Sequence, residues 1–173
     1  MDDVRKWLRA RGTETVEHPG GTLYAHLNRV QERLGALGHD REVQVAGLTH
    51  AAYSTDGFDL ALLDHTDRGP LQALIGDRAE DLVHRYGSCE RSRTWKMLPE
   101  TRQVWDRWTD TAVALPDDVV TPFADLSVIN ELDVLEQDPA IAARYGGYFR
   151  DLFASWAPLL SPPVSAEVRR VLA

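Results

Sequence analysis

The chain has 173 residues, long enough for one substantial core, with 43% hydrophobic and 27% charged residues and a net charge of −8. That acidic balance argues against nucleic acid as a partner, because phosphate binding is driven by clustered cations. A single cysteine, Cys89, excludes an internal disulfide and any cysteine-rich zinc cluster.

Lysine occurs only at Lys6 and Lys96, the other basic residues being arginine. Together with abundant Ala, Val and Asp, this bias suggests a bacterial genome of high GC content. The opening MDDVRKWLRARG has no apolar signal region, and no apolar run approaches membrane-spanning length. The expected location is cytoplasmic, with no membrane partner.

Residues 2–11 read as a short helix with Val4, Trp7 and Leu8 on its apolar face, ended by Gly12. After the Pro-Gly-Gly turn at 19–21, Leu23, Leu27, Val30, Leu34 and Leu37 recur at three- and four-residue intervals. This is the stripe of an amphipathic helix, and His26 lies at its edge. Gly35 and Gly38 end it. Asp40 is placed to cap a second helix running to about Ser54, on which Val43, Ala46, Gly47 and His50 share a face. So short a link forces the two helices to pack antiparallel. Gly47 then allows close backbone approach, and His26 and His50 meet across the seam, with His18 reaching it from the entry loop.

Three imidazoles at one seam suit two chemistries. They are nitrogen ligands for a single zinc, iron or manganese ion. They are equally acid–base groups that need no metal, because imidazole changes charge near neutrality. The plain alternative is a set of satisfied structural histidines.

Tyr53, Thr55 and Asp56 follow directly from the end of the second helix as candidates for binding a substrate; a Ser-Thr-Asp-Gly run is also a good turn. Asp64 and His65 fall in a polar loop. Pro70 opens a short helix through Ile75, and Asp77 and Glu80 have capping-box spacing before a helix through Tyr86. Cys89 reads as a small buried hydrophobe, or as a nucleophile should Arg85, Arg91 and Arg93 stabilise its thiolate. Arg91 or Arg93 suits a carboxylate or phosphate through a bidentate fork; pairing with Glu90 is the competing reading.

Residues 99–111 read as a helix with Val104, Trp105 and Trp108 inward, and 112–120 as a connector around Pro116. Thr121-Pro122 has the form of a helix start, leading into FADLSVINELDVLEQ, which is apolar nearly all round and so central. Asn130 on that helix needs partners, from the backbone or from a substrate. Asp138-Pro139 opens a last long helix with Tyr145, Phe149, Phe153 and Trp156 along a core-facing side. After Pro162-Pro163 a short helix docks on the domain or on a second subunit, which would make a homodimer. The expected fold is all-α, about seven or eight helices in a single bundle over 1–160, with the short helix in 161–173.

The segment HPGGTL, His26 and the run AGLTHA at 46–51 together resemble the histidine–aspartate (HD) superfamily of all-helical metal-dependent phosphohydrolases. The resemblance is to a bacterial offshoot lacking the aspartate of the His-Asp doublet. It covers about residues 15–90 and, more loosely, the helix near 122–137. It implies an HD-like bundle, with His26 as the first histidine and His50 as the histidine of the doublet. The doublet's aspartate position holds Ala51, and the later aspartate position, in VINEL at 128–132, holds Asn130. A methyl group cannot bind a cation and a neutral amide binds one weakly, so the usual two-carboxylate phosphohydrolase site is absent. The expected function is a small-molecule enzyme, hydrolase or lyase/isomerase in type. It would act on a polar or anionic metabolite, with His26 and His50 catalytic, His18, His26 and His50 available to one metal, and Tyr53, Thr55, Arg91 and Asn130 binding substrate. A metal-dependent oxygenase is a narrower version. The alternatives are a non-catalytic ligand-binding module with a degenerate metal site, and an interaction protein with structural histidines.

Overall fold

A computed structural model describes residues 1–173. The chain is mostly helical, with ten helices and two small two-stranded antiparallel sheets. It divides into two compact units, Met1–Gly87 and Ser88–Ala173. No helix is long and apolar enough to cross a membrane.

The first unit opens with α1 (Asp2–Ala10), which buries Val4 and Leu8. A hairpin follows, β1 (Glu17–His18) with β2 (Gly21–Thr22), turning through Gly20 and Gly21, both at positive φ where glycine alone is unstrained. The Thr22 hydroxyl then accepts from the Ala25 N–H and starts α2 (Leu23–Ala36). Its apolar stripe is buried: Leu23, Leu27, Val30 and Leu34 are fully or almost fully covered. Gly38, at φ 88°, ends the helix with the His39 N–H on the Leu34 carbonyl.

The Asp40 carboxylate caps α3 (Arg41–Thr49) by accepting from the Val43 N–H at 2.9 Å. This helix is shorter than the sequence suggests: it ends at Thr49, and residues 50–53 continue as turns. α2 and α3 form the principal helix pair of the unit. At their contact a Cβ on Gly47 would lie 2.5 Å from Leu34 Cδ1 and 3.7 Å from the Gln31 backbone. α4 (Gly69–Ile75) and α5 (Asp77–Ser88) complete the unit, α1 packing on both α3 and α4.

The second unit departs more from expectation. α6 (Arg91–Thr94) and α7 (Leu98–Thr101) are single turns, and the helix expected over 99–111 is a hairpin, β3 (Gln103–Asp106) with β4 (Thr111–Ala114). Arg102 and Asp110 both adopt left-handed backbone, which a helix does not admit. Val104, Trp105 and Trp108 therefore fall at helical spacing by coincidence.

α8 (Asp117–Gln137) starts at the Pro116-Asp117-Asp118 run, not at Thr121, so Pro122 sits inside it. Two aspartates in the first turn complement the positive end of the helix. Residues 123–133 are all buried, the polar Asp125, Ser127, Asn130, Glu131 and Asp133 along with the apolar residues between them. The Asp138 carboxylate caps α9 (Pro139–Ser155) by accepting from the Ala140 and Ile141 N–H groups. Of its aromatic stripe, Phe149, Phe153 and Trp156 are buried with Trp95, and the Trp156 indole donates to the Trp95 carbonyl at 3.0 Å. Tyr145 is 40% exposed and outside the core. α9 runs unbroken through Gly146-Gly147, whose Cβ positions are open. α10 (Pro162–Val171) packs on α8, with Val164 fully buried and the Ser161 N–H on the Asp125 carboxylate.

Candidate functional site

Three of the expected site residues come together in the first unit. α2 carries His26 and the end of α3 carries His50, and the close approach at Gly47 sets the distance between the helices. Both histidines are almost wholly buried, at 1% and 3% exposure. Their Nε2 atoms are 3.3 Å apart, with the rings edge to face. His50 Nδ1 lies 2.7 Å from the Gly47 carbonyl oxygen. Two lone pairs cannot face each other at that distance, so Nδ1 bears a proton. In the neutral ring, Nε2 of His50 is then a lone-pair acceptor, and Nε2–H of His26 is its donor.

His18 enters from the β1–β2 hairpin and stacks on His26, with ring centroids 4.0 Å apart and planes at 23°. It is half-buried, unlike the other two. Phe58 meets His18 edge-on, and Tyr86 on α5 meets His50 edge-on. Thr55 is buried and exchanges both backbone hydrogen bonds with Phe58 at 3.0 Å, closing the loop that brings Phe58 to His18. Ala51 is buried in the turn after α3.

Tyr53 belongs to a second polar cluster of the same unit. Its hydroxyl donates to Glu80 Oε1 at 2.8 Å, and the Arg68 guanidinium donates to both oxygens of the same carboxylate. Glu80 is fully buried. Burial first, then the hydrogen bond to Glu80 and its negative charge, hold the Tyr53 phenol far above its ordinary pKa. The same carboxylate raises that of Arg68. Glu80 is therefore not the reciprocal partner of a capping box with Asp77. Its sequence signal was an acid at three-residue spacing from Val83 and Tyr86, on the face that α5 buries. His84 meets the Tyr53 ring edge-on. Asp64 takes the Thr66 N–H and hydroxyl in an exposed turn, which lowers its pKa.

Arg91 and Asn130 lie in the second unit and share one carboxylate. Arg91 Nη1 is 2.9 Å from Glu131 Oε1, and Asn130 Nδ2 donates to the same oxygen at 2.8 Å. Arg91 also lies over the Trp95 ring, 4.8 Å from its centroid. Arg91, expected to hold an anion, and Asn130, expected to meet the backbone or a substrate, thus both engage an acid of the chain itself. Cys89 is a buried thiol on the segment that bridges to β3.

The chemistry available at the histidines follows from this geometry. With His50 in the Nδ1–H form, His26 and His50 make a donor–acceptor pair, and His18 is the half-buried member of the three. As metal ligands, the two Nε2 atoms are spaced close to the edge of a tetrahedron built on about 2.1 Å metal–nitrogen bonds. No group of three or more ligating side chains is already gathered at metal-binding geometry. His18 lies face to face with His26 and does not present a ring edge between the other two.

No curated protein and no solved structure matches the chain. Residues 7–91, the stretch that holds all three of these histidines, match the model of a family described as a domain of unknown function (DUF6817).

Proposed function

We propose that the first unit is an HD-like helical module whose histidine cluster is an acid–base centre for a small polar or anionic metabolite. The observation that carries this reading is the pairing of His26 Nε2 with His50 Nε2 at 3.3 Å, together with the anchoring of His50 Nδ1 on the Gly47 carbonyl. An imidazole fixed at one nitrogen offers the other to a single proton acceptor or donor, the arrangement that general acid–base catalysis requires. His50 is the base of the pair and His26 supplies or takes the shared proton. Hydrolysis, elimination and isomerisation are all within reach of such a pair. The likeness of His26 and the AGLTHA run to the HD superfamily supports the same assignment.

The experiment is nitrogen-15 NMR of the histidine side chains, with titration of a library of carboxylate, phosphate and polyol metabolites. The expected result is an Nδ1–H tautomer at His50 and Nε2–H at His26, with at least one metabolite shifting both rings. An Nε2–H tautomer at His50, or a library that moves neither ring, would overturn the reading.

A second reading has its own support, because the same 3.3 Å spacing suits two nitrogen ligands of one zinc or iron ion. A bound metal there would supply Lewis-acid chemistry, with the Gly47 carbonyl orienting His50 as a second-sphere partner. Stoichiometric metal in the purified protein, lost in His26→Ala and His50→Ala, would select it.

A further inference from the structure

The second unit holds a groove of about 510 Å³ between α9 and the C-terminal helix α10. Phe153, Leu160, Val168 and Leu172 give it an apolar lining, and Arg150 and Arg169 stand beside them. Its volume falls within the usual range for small-molecule sites, about 300–1,000 Å³. Both guanidinium groups are exposed, and neither makes a hydrogen bond or an ion pair with the chain. Arg5, Arg9, Arg68, Arg78, Arg85, Arg91, Arg93, Arg102 and Arg170 are ion-paired, whereas Arg150 and Arg169, like Arg11, Arg41 and Arg144, are left available to an outside anion. The two cations at an apolar groove complement a ligand with an acidic head and an alkyl body.

We propose that this groove binds a free single-chain carboxylate, its alkyl tail on Phe153, Leu160, Val168 and Leu172 and its carboxylate taken by Arg150 and Arg169. The tail supplies affinity in proportion to the apolar area it buries. A guanidinium meets a carboxylate through two parallel N–H donors, which discriminates an acid from an alcohol of the same length. The proposal is independent of the histidine centre, since every lining residue belongs to the second unit.

The test is calorimetric titration of the full chain with decanoate, 1-decanol and acetate, with chemical-shift mapping by NMR. Decanoate is expected to bind and to shift Phe153 and Leu172, decanol to bind about tenfold more weakly or worse, and acetate not to bind. In Arg150→Gln/Arg169→Gln, decanoate is expected to fall to the level of decanol. Ala154→Phe places a ring in the groove from an exposed helical position and is expected to abolish binding of both without lowering the melting temperature. Equal binding of decanoate and decanol, no binding of decanoate, or shifts confined to residues outside the groove would each overturn the proposal. Retention of decanoate binding in His26→Ala and His50→Ala is expected, and separates this outcome from failure of the histidine reading.

Discussion

At the scale of single residues, the most demanding group in the first unit is Glu80, a carboxylate with no exposure to solvent. Arg68 and Tyr53 make its burial tolerable, because an unpaired charge in that position would cost several kcal/mol. Removing the phenol in Tyr53→Phe leaves Arg68 in place and is expected to cost about 1 kcal/mol at neutral pH. The pH dependence has a definite sign. The folded-state pKa of Tyr53 is raised, so the stability it contributes is complete below its unfolded value of about 10 and is lost as pH rises beyond that. The difference between wild type and Tyr53→Phe in urea melts should therefore be constant from about pH 7 to 9 and shrink by about pH 11. A difference that grows with alkalinity would contradict the assignment. The sequence places Tyr53 after α3 and suggests substrate binding, but nothing in it announces Glu80 as the partner of the hydroxyl. Glu80 was hidden because its spacing from Asp77 also fits a helix cap, and only tertiary packing decides where a glutamate side chain points.

Among elements, the starts of α2 and α3 were readable nearly to the residue, while the end of α3 was set about five residues too late. The leucine stripe, the Asp40 cap and the small Gly47 are local signals that tertiary contacts did not override. The Gly47 contact gives a direct test. Gly47→Ala gains helix propensity worth about 1 kcal/mol but forces its methyl onto the buried Leu34, at a typical cost of 1–3 kcal/mol. A net loss of about 1 kcal/mol in denaturant melts is expected. The shared-proton NMR signature of His26 and His50 is expected to weaken with it, because the displaced Leu34 side chain is packed in the seam that the two histidines span. An unchanged signature would show that the interhelical distance does not depend on this glycine. The second unit was harder to read for identifiable reasons. Val104, Trp105 and Trp108 mimic a helical face, and nothing about Arg102 announces a left-handed residue. Thr121-Pro122 has the composition of a helix start, yet Pro116 and the two aspartates after it supply a start one turn earlier. A proline in the second turn is then accommodated inside α8.

For the molecule as a whole, the acidic composition and the division into two units matter most. Each unit holds its own polar cluster: three histidines with Tyr86 and Phe58 in the first, and Arg91, Asn130 and Glu131 in the second. Of the residues expected to form the site, His18, His26, His50, Tyr53 and Thr55 belong to the first unit and Arg91 and Asn130 to the second. A net charge of −8 also makes a plain prediction for polyanions. Single-stranded or duplex DNA at about 50 mM salt should show no mobility shift at micromolar protein, and a salt-sensitive shift would reveal a cationic face that the net charge conceals.

The three imidazoles differ in how firmly they are rooted. Two stand on helices pressed against each other over their length. The third rides a ribbon of two paired residues on each side, turned by two glycines. The ribbon is tied down by the Arg29 guanidinium, which donates to the Pro19 and Gly20 carbonyls, whereas separating the helices would dismantle the unit's interior. On the proposed reading, the ring that an entering ligand meets first is His18, which covers one face of His26 while the donor–acceptor couple lies behind it.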